Sequence, residues 1–183
     1  MQQQQSWPDL AGRLVQCEGA RTHVLPVRVY FEDTDFSGLV YHASYVRWCE
    51  RGRSDFLRLL GNDHRELIGG AAGREPAAFV VRRMALEFLK PARIDEVLEV
   101  ETRVTEIGAA HLVLDQGIVR SSGGVRPLVP AADGQTTTDA ARGLTPPAQP
   151  TRVFEAKVTV VLVSVSGKPL RLSSAIRAAM AGV

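Results

Sequence analysis

Residues 28–45 read RVYFEDTDFSGLVYHASY. The start of this stretch completes a β-branched and aromatic run, Val24 to Phe31, that predicts a strand, with Pro26 marking an edge or its beginning. An acidic loop follows, with Glu32, Asp33 and Asp35 crowded into four positions and Gly38 permitting a tight turn. From Ser44 to Leu60 the pattern changes. Tyr45, Trp48, Cys49, Gly52, Phe56, Leu59 and Leu60 recur at spacings of three and four, one face of an amphipathic helix. Gly61-Asn62 is its stop signal. A helix start points unpaired backbone N–H groups outward. A carboxylate held near such a start is half of an acyl-transfer site, and the N–H groups that polarise a carbonyl are the other half. The alternative is that Asp33 or Asp35 only caps the helix or closes an Asx-turn.

Working outward, alternating patterns predict strands over 79–89, 97–107, 111–120 and 152–165. Residues 121–150, rich in Gly, Pro, Thr, Ala and Asp, read as a flexible insertion. Residues 1–22 read as a flexible polar arm, 23–175 as one domain, and 176–183 as a C-terminal tail, with Ser173 to Met180 able to form a short helix. The order β, long α, then four β predicts an α+β fold, with five mainly antiparallel strands wrapped around one helix. One helix cannot cover both sheet faces and the sheet edges, which argues for self-association.

Composition narrows the function. The chain has 183 residues, 45% of them apolar, enough for a core without disulfide or metal. A net charge of +2 gives no argument for nucleic acid or an anionic membrane. Cys17 and Cys49 form no CxxC pair, and no His/Cys cluster predicts a metal site. Cys49 falls on the apolar helix face as a buried thiol, and two lone cysteines suit a reducing compartment. Residues 1–10 show no secretory pattern, and no apolar run is long enough for a membrane span. The expectation is a soluble cytoplasmic protein.

Three stretches carry a resemblance: RVYFEDTDFSGLVYHASYVRWCERGRSDFLR, FVVRRMALEFLKPARIDEVLEVETRV and VTVVLVSVSGKPLRL. They resemble the 4-hydroxybenzoyl-CoA thioesterase family, and most closely its YbgC-type, Tol-Pal-associated branch. The resemblance implies a hotdog fold, hydrolysis of acyl-CoA to free acid and CoA, no cofactor and no metal. Two protomers would pair, as a homodimer or homotetramer, with active sites at their interface. An acyl carrier protein or the Tol-Pal system would be further partners.

Asp35 matches the catalytic carboxylate, acting as nucleophile or as general base. His42 supplies a backbone N–H to the thioester oxygen, and its imidazole is a second catalytic candidate. Gly38, Tyr41, Arg83 and Lys90 take substrate-binding positions, Gly38 by letting the thioester approach the backbone. Arg82 and Arg93 join Arg83 and Lys90 as basic residues for the CoA phosphates. Leu39 and Phe31 depart from the family pattern, where Ile or Val and often Tyr stand. The competing reading keeps the fold without the chemistry, as an acyl-carrier or envelope-complex interaction module. A hotdog dehydratase resembles a different motif.

Overall fold

The computed structural model describes residues 12–17, 20–61, 64–70, 75–120 and 150–181. They form strands β1 (Arg13–Cys17) and β2 (Ala20–Arg28), helices α1 (His42–Leu59) and α2 (His64–Gly69), strands β3 (Ala77–Phe88), β4 (Val97–Ile107), β5 (His111–Arg120) and β6 (Thr151–Ser164), and helix α3 (Ser174–Ala181). The six strands make one sheet in the order β1-β2-β4-β5-β6-β3. Every neighbouring pair is antiparallel.

α1 forms because its apolar residues keep the helical period. Tyr45, Trp48, Cys49, Phe56 and Leu57 are buried on one side, against Leu98, Val100, Leu114 and Val158 of the sheet. Fully burying a side chain of this kind contributes about 1.5–3 kcal/mol. Gly52 brings the helix close to β4, since a Cβ there would meet Thr102 Oγ1 and Val100 Cγ1 at 3.1 Å. Buried Gln116 ties the layers together: its amide donates to the Cys49 carbonyl and to Thr102 Oγ1, both at 2.9 Å. The opposite sheet face is polar. Arg152 pairs with Glu101 at 2.9 Å there, and Arg103 with Asp115 at 3.7 Å. Exposed pairs of this kind contribute little to stability.

Three expectations need correction. The sheet has six strands, not five, because Arg13–Cys17, inside the expected arm, pairs with β2 as a hairpin. Its alternation is too short to read without that partner. The strand expected over 24–31 runs from Ala20 to Arg28, and Pro26 lies within it, in register with Glu99. The domain does not stop at residue 175: α3 crosses that boundary and buries Ile176 and Met180. The expected insertion lies outside the described residues except for its last position, as does the arm up to residue 11.

Candidate active site

Between β2 and α1 the chain makes a 3-10 turn, Phe31–Asp33, and then a tight loop. Asp33 organises it. Its buried carboxylate accepts the Tyr30 N–H at 3.0 Å, and its carbonyl accepts the Tyr41 N–H at 2.8 Å and the Ser44 hydroxyl at 3.2 Å. The loop is pinned to the segment after β3 by the Val40 N–H, which donates to the Ala92 carbonyl at 2.9 Å. Leu39 bridges Arg93 beside it. The Tyr45 hydroxyl accepts the Ala92 N–H at 3.0 Å, so α1 holds the same segment.

Asp35 is held differently. The Gly38 N–H donates to its carbonyl and its own N–H donates to the Leu39 carbonyl, each at 3.0 Å. Gly38 has φ +73°, and no atom stands within 4 Å of a Cβ built there, so the loop keeps an open approach. The Asp35 side chain is exposed. Oδ1 accepts the Ser37 hydroxyl at 2.5 Å and the Ser37 N–H at 2.8 Å. Oδ2 has no hydrogen-bond partner among the described residues. The two Ser37 bonds hold the carboxyl below the usual Asp range, hydroxyl first, with a smaller contribution from His42. Asp35 is therefore a preset anion with one oxygen tied and one available.

His42 opens α1 behind Tyr41, which has extended backbone angles and no side-chain cap. The N–H groups of His42 and Ala43 have no partner among the described residues. These orphan donors carry the positive end of an 18-residue helix. The His42 ring packs on Tyr41, with centroids 4.3 Å apart.

The structure thus brings Asp35, Gly38, Tyr41 and His42 together, with Lys90 and Arg93 on the adjoining segment. It does not bring Arg83 to them within one protomer. Arg83 sits opposite Thr159, five residues before Phe88, which is roughly 17 Å of strand. A register shift between Val81 and Arg83 replaces regular alternation at Arg82 and Arg83. The buried free Cys49 takes no part, its thiol pushed up to about 12 by desolvation. Ser37 is the residue the sequence reading missed, although Asp-x-Ser ahead of a Gly is an Asx-turn signal. Among the described residues no group of His, Cys, Asp and Glu could hold a metal. No helix among them is long and apolar enough to cross a membrane.

One antiparallel sheet packed on a single long helix is the hotdog arrangement. The sequence model of the thioesterase superfamily matches residues 37–126. The chain is 47% identical over 96 residues to the acyl-CoA thioester hydrolase YbgC of Escherichia coli, covering 52% of this chain and 68% of that protein. Among solved structures it resembles a probable thioesterase from Bartonella henselae (35% identity, TM-score 0.64, 83% of this chain and 99% of that one). A 4-hydroxybenzoyl-CoA thioesterase variant, solved with 4-hydroxybenzoyl-CoA, shares the fold at TM-score 0.67 and 17% identity, over 88% of this chain and 99% of that one. The chain belongs to the thioesterase superfamily, among the YbgC-type acyl-CoA thioesterases.

Proposed function

We propose that this protein hydrolyses acyl-CoA thioesters to a free acid and CoA, with Asp35 as the reacting carboxylate. The observation that carries this reading is the pairing of an exposed, ionised Asp35, free at Oδ2, with the unpartnered N–H groups at the start of α1. The His42 N–H would hold the thioester oxygen and stabilise the oxyanion that forms as the carbonyl is attacked. Oδ2 either attacks the carbonyl carbon itself or takes a proton from the attacking water. In both cases CoA leaves as thiolate. Lys90 and Arg93 lie on the segment pinned to the loop, which supports a role for them in binding the CoA phosphates.

The assembly we propose is a pair built on β3. Among the described residues this strand ends the sheet, and most of its 12 residues are exposed, including Val80 (42%), Val81 (43%) and Phe88 (52%). An unpaired apolar edge of this length is a surface to be covered. Pairing two copies about a two-fold axis extends the sheet antiparallel and sets the Phe79–Val81 half of one β3 beside the Leu86–Phe88 half of the other.

The test follows CoA release with a thiol-reactive dye across acyl-CoAs of graded length. Asp35→Asn is expected to keep the fold and lower turnover about 10²–10⁴-fold. His42→Ala should cost less, since its backbone donor survives. Near wild-type turnover by Asp35→Asn would sink the assignment. Single turnover in ¹⁸O-water tests the anhydride route: an acid without label carries the enzyme's oxygen and marks attack of water on the Asp35 carbonyl of a mixed anhydride.

A further inference from the structure

A second feature lies toward the opposite end of the sheet from β3. β1 pairs with β2 only as far as Val24, which stands in register with Arg13. Among the described residues the outer edge of β2 from Leu25 to Arg28 therefore has no strand beside it. Pro26 withholds a donor there, which blunts the edge against a further strand. Between this edge and α1 runs a groove of about 530 Å³, with hydrocarbon from Pro26 and Val27 in its lining. Its charges are mainly cationic. Arg28 comes from β2, and Arg51 and Arg58 come from one stripe of α1, two turns or about 10 Å apart. Arg51 makes no ion pair or hydrogen bond among the described residues, and the Arg28 guanidinium makes one long bond, 3.4 Å to the Asp95 carbonyl. The acid that lines the groove, Asp55, has both oxygens occupied, Oδ2 by the Gly12 N–H and His23, and Oδ1 by Arg58. Tyr30, an exposed ring, completes the lining.

We infer that this groove binds a free purine nucleoside diphosphate, at a second site apart from the catalytic loop. The argument is charge and shape. Guanidinium groups with donors to spare hold phosphate, and an open aromatic ring stacks a base. The volume falls in the range of small-molecule sites, which pair apolar walls with a few polar groups. A lone phosphate would leave the ring and the hydrocarbon uncovered, and a neutral apolar ligand would leave the arginines unpaired. A purine offers the larger face to Tyr30. CoA is not the occupant, because its phosphates fall to Lys90 and Arg93, whereas the cations here stand on β2 and α1. Pairing through β3 leaves the groove open, since β2 lies toward the other end of the sheet. The inference goes beyond the thioesterase reading and does not rest on it.

The test is isothermal titration calorimetry of the full chain with ADP and GDP, with adenosine and pyrophosphate as half-ligands. One ADP should bind per chain, more tightly than either half. Arg51→Gln should weaken it about tenfold, the loss of one charge-assisted pair. Tyr30→Leu should weaken ADP and adenosine several-fold and spare pyrophosphate. Both positions are exposed, so the fold should survive, and thermal melts check it. Lys90→Gln should leave ADP binding unchanged. No binding of ADP or GDP at about 1 mM overturns the inference. Binding that is unmoved in folded Arg51→Gln and Tyr30→Leu, or lost in Lys90→Gln, does the same. In the hydrolysis assay, a KM for acyl-CoA that ADP raises in wild-type but not in Arg51→Gln would mark CoA as the occupant and overturn the separate site. The binding measurements need no turnover, so a failed thioesterase assay sinks that reading and leaves this one standing.

Discussion

Asp35 has its charge fixed by its neighbour two positions on. The Ser37 hydroxyl and N–H both donate to Oδ1, and both favour the ionised form. A group with a lowered pKa loses its charge only when the pH falls below the ordinary Asp range. The acid limb of kcat/KM should accordingly lie below that range. Ser37→Ala removes the larger of the two bonds and leaves the backbone one. Its acid limb is expected to move to higher pH, with little change on the plateau. A pH–rate profile checks this, and an unmoved limb would show that Asp35 is not the titrating group. At this scale the sequence was informative in a specific way. Three acids in four positions announced a chemical loop, and Gly38 its turn. What separates Asp33 from Asp35 is exposure and partners: one is buried and holds Tyr30 in place, the other is exposed and free at one oxygen. No spacing rule encodes that difference.

At the scale of elements, β1, β2 and α1 are clasped by one buried histidine. His23 of β2 is 0% exposed, and its Nε2 lies 2.8 Å from Asp55 Oδ2 on α1. The Gly12 N–H, just before β1, donates to the same oxygen at 2.6 Å, and Arg58 donates to Oδ1 at 2.6 Å. His23 Nδ1 is buried with no partner among the described residues, which suits a neutral ring that donates from Nε2. Protonation would put an unsatisfied N–H in the core. Desolvation accordingly lowers the His23 pKa, against the opposing pull of Asp55. The unfolded chain then binds more protons than the folded one just below the ordinary value of 6.5, so stability rises with pH through that window and falls on acidification. Thermal melts between pH 7 and 5 should show this slope, and His23→Gln should flatten it. An equal slope in the variant would place the titration elsewhere. The long helix was legible because its apolar period is local. This clasp was not, because its members stand 32 and 43 residues apart and each alone looks ordinary.

For the whole molecule, the decisive feature is the exposed edge at β3. Val80→Arg adds positive charge beside Arg82 and Arg83 on that edge and is expected to weaken pairing. Analytical ultracentrifugation should show the smaller species gaining at the expense of the pair. Turnover per chain should fall in step, as expected for sites that lie at the interface of the proposed pair. A variant that sediments as a monomer with full turnover would contradict that placement. The layered α+β plan was readable from alternation alone, whereas the sheet order and the sixth strand depend on pairings between distant segments that alternation does not specify. The edge also bears on how an unpaired chain avoids aggregation. A long apolar strand end is a template for endless stacking of chains, the hazard of fibre growth. Two arginines sit at the irregularity in the middle of this one, where charge and a broken register discourage such stacking. The opposite end of the sheet is only five residues long. The strand that invites company thus also carries the features that limit it.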